Sequence, residues 1–263
     1  MKISGRGKTP PDFYKRRKYM KLAVQLYSLR EHIKTGDDLL TILEKVKELG
    51  FDGVEFAGFF GLDAQTIKNK LDELGLVAVG AHMGLDDFKE DALAKTLEFA
   101  KTIGAKTVGI GGADTSTEEA LENVIEIMGN ADKLAEKDGI NVYFHNHTQE
   151  FAAPLFATKP GTIFDRLKAA CHMQIDTYWS FHAGKDNYSL ISENIDRIVH
   201  LHIKDGIDGK PMALNEGNND LDTVVKAARD NSIEWLILEN DDPVPDGLSD
   251  VARSMKWLEA NAR

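Results

Sequence analysis

The 263-residue sequence contains a single cysteine, Cys171, so no intrachain disulfide can form and a disulfide-stapled extracellular domain is excluded. No apolar run approaches the ~20 residues that span a bilayer, which predicts no membrane helix. The first residues, Met1 to Gly7, lack the apolar core of a secretory signal. With the lone cysteine, this predicts a reducing, cytoplasmic setting. A dinucleotide-binding glycine fingerprint is also missing. The turn after the first apolar run reads Gln25-Leu26-Tyr27-Ser28-Leu29-Arg30, and the glycine-rich Gly109-Ile110-Gly111-Gly112-Ala113-Asp114 is not GxGxxG.

Charge is unevenly spread. Residues 1–21 carry eight Lys or Arg and one Asp, a balance of +7, which leaves −18 of the total −11 to the remainder. An acidic body repels a polyanion, so nucleic acid is not the expected partner. The basic stretch Tyr14-Lys15-Arg16-Arg17-Lys18-Tyr19 reads instead as part of a polar extension, residues 1–19, ahead of a domain covering 20–263.

From Met20 onward, short β-type runs alternate with helical patterns. Strands are expected at 22–26, 51–56, 76–82, 106–111, 140–146, 172–177, 197–203 and 233–239. Helices are expected at 39–49, 65–75, 87–103, 117–138, 160–170, 187–195, 219–231 and 247–261, with Gly50, Gly75, Gly104 and Gly139 as left-handed stops. Eight such units of about 30 residues predict an α/β fold of (β/α)8 TIM-barrel type in one domain.

A parallel barrel gathers its strand ends on one face, and four of these ends carry possible metal donors: His145, Asp176, His202 and Glu239. Nitrogen and oxygen donors of this kind suit one divalent ion, Mn²⁺, Mg²⁺, Co²⁺ or Zn²⁺. Strand alternation puts His147 on the side of His145, so either can be the ligand and the other a substrate contact. A hydrogen-bonded structural pair is the plainer role for Asp176 and His202, and an exposed acidic loop for Glu239, which precedes Asn240-Asp241-Asp242. Glu150, just beyond the fifth strand, is a candidate catalytic carboxylate or a surface acid. His82 is a candidate acid or a core histidine. Glu55 binds sugar hydroxyls or pairs with a lysine. Lys204 stabilises an enolate, or bridges to Glu239 or Asp176. Tyr178 and Trp179, with Phe181, form a patch of the kind that stacks on sugar rings or packs at a barrel rim. His172, His182 and His200 show no pattern beyond structure.

The chain resembles the xylose-isomerase-like barrel superfamily of sugar and sugar-phosphate isomerases and epimerases over residues 20–262. The resemblance is carried by Val24-Gln25-Leu26-Tyr27-Ser28-Leu29-Arg30, Gly53-Val54-Glu55, Gly80-Ala81-His82, Phe144-His145-Asn146-His147-Thr148-Gln149-Glu150-Phe151, Ile175-Asp176-Thr177-Tyr178-Trp179, His200-Leu201-His202-Ile203-Lys204-Asp205 and Leu238-Glu239-Asn240-Asp241. It implies a divalent ion held by strand-end Glu, Asp, His and Glu, and bound to adjacent oxygens of a polyol or keto sugar. Asp176, His202 and Glu239 match three of these positions, whereas His145 stands where relatives carry a carboxylate. Trp179 stands where the epimerases place a substrate-binding histidine. Epimerase members use two metal-bound glutamates on opposite faces of the substrate carbon, and here only Glu239 remains of that pair.

The expectation is therefore a metal-dependent isomerase or epimerase acting beside the carbonyl of a sugar, keto sugar or cyclitol. Lyase or dehydratase chemistry is the alternative that the lost carboxylate favours. A sugar-binding protein without catalysis is the non-enzyme rival, and a phosphodiesterase would want two or three ions with more ligands. The absence of a phosphate-binding glycine loop after the seventh and eighth strands favours an unphosphorylated substrate, and a homo-oligomer is left open.

Overall fold

Each apolar run forms a strand, and register decides what meets at its end. The computed structural model describes residues 20–154, 156 and 159–263; the basic extension expected over 1–19 lies outside the described residues. Strands β1 (Lys21–Gln25), β2 (Gly53–Ala57), β3 (Val77–His82), β4 (Thr107–Ile110), β5 (Asn141–His145), β6 (His172–Asp176), β7 (Ile198–Ile203) and β10 (Trp235–Leu238) pair in parallel, and β1 closes the ring against β10. The result is a closed eight-stranded parallel barrel in a single domain.

Helices α1 (Gly36–Glu48), α2 (Ala64–Leu74), α3 (Glu90–Ile103), α4 (Glu118–Ala135), α5 (Ile163–Ala170), α7 (Asn187–Glu193), α8 (Leu221–Asp230) and α9 (Gly247–Asn261) sheathe the barrel. Their apolar stripes, such as Leu39, Ile42, Leu43 and Val46 of α1, are buried against it. Full burial of one such side chain stabilises by about 1.5–3 kcal/mol. Caps fix the helix starts: Thr35 and Asp38 form a reciprocal box on α1, and Thr162 and Asp165 repeat it on α5. The four anticipated glycine stops all have positive φ.

Boundaries differ where a side chain or turn intervenes. The helix expected over 87–103 is broken at Lys89, which is extended, so a 3-10 turn (Leu85–Phe88) precedes α3. The helix expected to reach 138 ends at Ala135, followed by a 3-10 turn over Glu136–Asp138. An additional helix, α6 (Thr177–His182), starts directly at β6 because the Asp176 carboxylate caps it. A hairpin, β8 (Asp205–Ile207) and β9 (Lys210–Met212), follows β7 without anticipation. Its turn, Asp208-Gly209, has positive φ at both residues, the geometry that Asp-Gly favours in two-residue hairpins. Asp205 then ties the segment down by accepting the backbone N–H groups of Gly206, Asn215, Gly217 and Asn219.

Cys171 is buried, and burial followed by the charge of Asp132 pushes its thiol up to about 12, so it belongs to the core. Among the described residues no helix is long and apolar enough to cross a membrane.

Candidate active site

His145 ends β5, Asp176 ends β6, His202 lies on β7, and Glu239 follows β10. Parallel register sets Asp176 beside His202 and His145 beside Gln174. All four candidate ligands are buried, with one donor atom of each within 4.8 Å of the others. His145 Nε2 lies 3.8 Å from Asp176 Oδ2 and 3.9 Å from Glu239 Oε2, while His202 Nδ1 lies 3.0 Å from Glu239 Oε2.

A polar layer inside the barrel aims these groups. Gln174 Oε1 is 2.9 Å from His145 Nδ1 and 2.8 Å from His82 Nε2, and as a carbonyl it can only accept from both. Its amide donates to Glu55 Oε1 at 2.7 Å and to His200 Nδ1 at 2.9 Å, which uses both of its protons. His145 therefore carries its proton on Nδ1 and presents the Nε2 lone pair to the cluster. His200, kept neutral because burial pushes it down to about 3, completes the chain through Thr107. Room for this layer comes from two glycines. A Cβ on Gly80 would lie 2.7 Å from Thr107 Oγ1, and one on Gly109 would lie 2.2 Å from the Tyr143 carbonyl oxygen.

Partners of this kind commonly govern ion affinity by 10–100-fold, because they fix ring orientation and tautomer. Replacing Gln174 by Met is expected to lower divalent-ion affinity by about that factor with the barrel intact, measured by equilibrium dialysis with circular dichroism as the fold control. Unchanged affinity would show that the Nδ1 bond does not set the donor.

Glu55 corrects an expectation. It is fully enclosed, and among the described residues it accepts from Tyr143, Gln174, Gln25 and His202 and pairs with no lysine. Burial pushes its carboxyl up, but His82 and His202 outweigh this and hold it well below the usual carboxylate range. Burial likewise opposes protonation of His202, yet Glu239 and Glu55 raise that imidazole to about 10. Lys204 Nζ lies 2.9 Å from Asp176, 2.8 Å from Glu239 and 2.7 Å from Asp241, so both bridges weighed for it form together with a third. Against burial, these three acids keep it cationic. Burial raises Glu239 too, but Lys204 and His202 prevail and hold it well below the ordinary range. Every one of these Glu239 contacts uses Oε2, which leaves Oε1 to the cavity.

Two features fit a divalent cation. Asp176 Oδ2 is buried and accepts no well-directed hydrogen bond, although the Lys204 ammonium is close. With His202 neutral as a ligand, the carboxyls of Glu55, Asp176, Glu239 and Asp241 outnumber the Lys204 ammonium, and this acidic excess suits a cation.

A cavity of about 450 Å³ opens above the cluster, lined among others by His82, His145, His147, Glu239 and Asp241. His147 is thus a wall residue beside Gly112, while His145 is the one turned into the cluster. Glu150 is buried rather than a surface acid; its carboxylate accepts the His147 N–H, and burial raises its pKa. It does not line the cavity. Tyr178 is buried as well, with its hydroxyl accepting from Gly209, so it fastens the hairpin instead of facing the cavity. Trp179 lies over Lys204, 5.3 Å from Nζ to the ring, with its indole N–H buried and unpartnered. Sequence reasoning missed Gln174, Tyr143, Gln25 and Asp241 as parts of the site. The one sign for Gln174 is that it shares the face of Asp176, two residues earlier, between the apolar Met173 and Ile175.

Residues 43–261 match the family model described as xylose isomerase-like TIM barrel. The chain belongs to this family. Among curated proteins it is similar to inosose dehydratases from Bacillus licheniformis, 25% identical over 202 residues, and Lactiplantibacillus plantarum, 24% over 200 residues. Each alignment covers 66% of this chain and 64% of the relative, so the chain spans just under two thirds of their length. Among solved structures, a sugar phosphate isomerase/epimerase from Parabacteroides distasonis superposes with a TM-score of 0.73 at 21% identity, covering 94% of this chain and 96% of that one. At this identity the likeness speaks for the barrel fold alone.

Proposed function

We propose that this member of the xylose isomerase-like family is a divalent-metal-dependent isomerase or epimerase that moves a proton at carbon beside the carbonyl of an unphosphorylated keto sugar or cyclitol. The observation that carries the reading is Glu239: a carboxylate kept ionised by Lys204 and His202, with Oε2 engaged and Oε1 left to the cavity. His145, Asp176, His202 and Glu239 would hold the ion. Bound there, it would polarise a carbonyl and acidify the neighbouring C–H.

The rest falls to the chain itself. Glu239 Oε1 takes the proton. Lys204 holds the other oxygen still, so that no reorganisation is needed during transfer. His82, its Nε2–H donated to Gln174, is the wall imidazole that, once protonated at Nδ1, can return a proton from there. Among the described residues no Lys or Arg lines the cavity, in keeping with a substrate without phosphate.

Dehydration is the second reading. It is favoured by the imidazole at His145 in place of a second carboxylate, and by relatives named inosose dehydratase. The two separate in one experiment: keto sugars and keto-cyclitols are incubated in D₂O with Mn²⁺ added and followed by NMR. Deuterium at the carbon next to the carbonyl with all hydroxyls retained is expected for the isomerase. Loss of the neighbouring hydroxyl identifies the dehydratase, and no exchange on any compound rejects both.

A further inference from the structure

The wall of the cavity is chemically divided. Part of it is polar, with the buried His145 and Glu239 and the half-buried His147 and Asp241, whereas the half-buried Ala57 and Met83 and the exposed Tyr27 make up an apolar part. A free monosaccharide or cyclitol carries hydroxyls all round its ring. Pressing these against Met83 and Ala57 would strand them without hydrogen bonds, which is unfavourable.

Tyr27 is built as a platform. It is 44% exposed although it lines the cavity. Its N–H donates to Gln25 Oε1 at 3.1 Å, and its carbonyl accepts from Arg30 Nη1 at 2.9 Å. The Arg30 guanidinium also lies 4.3 Å from the ring centroid, while its Nη2 donates to the carbonyl oxygen of Asp241 at 2.6 Å. One guanidinium thus packs on the ring and ties it to the loop that supplies two of the polar wall residues. A ring held in this way loses little entropy when something stacks on it.

The geometry points to an amphipathic substrate: a keto sugar ring seated over Glu239 and bearing an aromatic substituent, as in an aryl glycoside, that stacks on Tyr27. This names the substrate class of the proposed reaction and rests on that reading for the seat of the ring. The test uses two inert analogues, phenyl and methyl β-D-glucopyranoside, titrated calorimetrically into the protein. The phenyl compound is expected to bind about tenfold more tightly, in line with an aromatic pair worth up to ~1.5 kcal/mol beyond its buried area. Tyr27→Ala should bring it down to the affinity of the methyl compound, and Tyr27→Phe should keep the advantage, since stacking needs the ring and not the hydroxyl. Equal affinities in the unaltered protein, an advantage that survives Tyr27→Ala, or no binding by the phenyl compound would each overturn the proposal. The proposed reaction fails separately, by absence of deuteration on every keto sugar, and that outcome leaves these affinities as they are.

Discussion

Glu239→Gln is expected to leave the barrel folded and to lower turnover of an accepted keto sugar by about a hundredfold or more, the usual worth of a positioned general base. The fold should survive because a glutamine carbonyl can still accept from Lys204 or His202, and Lys204 keeps Asp176 and Asp241 as counter-charges. What is lost is the negative charge, and with it the basicity of Oε1. Some ion affinity should persist, since His145, Asp176 and His202 are untouched. The decisive measurement is the rate of α-deuteration in D₂O at saturating ion, so that weaker ion binding is not mistaken for lost chemistry. Near-normal exchange would remove Glu239 as the base. His82, which lines the same cavity, would then be the better candidate than Glu150, whose carboxylate is spent on the His147 backbone.

The barrel was legible because its strands are short apolar runs at regular spacing, and parallel closure puts their last residues on one face whatever the side chains are. That rule alone brought His145, Asp176, His202 and Glu239 together. Roles within the face were less legible. Glu55 lies one residue before the end of its expected strand, as Asp176 does, but its contact with His202 spans 147 positions and depends on how the ring closes. Nothing local distinguishes a carboxylate that will meet four donors from one that will meet a sugar. Gln174 was hidden for a related reason: a glutamine inside a strand reads as solvent-facing until the barrel interior is known to hold a polar layer. Tyr178, expected in a stacking patch, fastens the hairpin, while Tyr27, given no role from the sequence, lines the cavity, since the ring type does not say which a tyrosine will do. The hairpin after β7 could have been read from Asp208-Gly209, a signal outweighed by the search for a helix after each strand.

The ligand assignment meets its hardest test at Asp176, because that side chain has two duties. Oδ1 caps α6 by accepting the Tyr178 and Trp179 N–H groups, while Oδ2 faces the cluster. Asp176→Ala removes both, and the cap alone is worth about 1 kcal/mol. Asp176→Asn separates them: the amide oxygen keeps the cap, and the amide nitrogen offers no lone pair to a cation. Both variants, and His202→Ala, are expected to weaken divalent-ion binding by more than about a hundredfold, since removing even a hydrogen-bond partner of a ligand costs 10–100-fold. Ion content after dialysis, with circular dichroism beside it, checks this. The pH response adds an independent sign. His202 is raised to about 10 by Glu239 and Glu55, so below that pH ion uptake must displace the proton from Nδ1. Affinity should therefore rise with pH, by about tenfold per unit where one proton is released, and level off as the imidazole deprotonates by itself. His145 adds little to this slope, because burial and then the charge of His202 hold its imidazole neutral well below the usual range. Full ion content in Asp176→Asn would take Asp176 out of the ligand set, and an affinity independent of pH would place the ion away from His202.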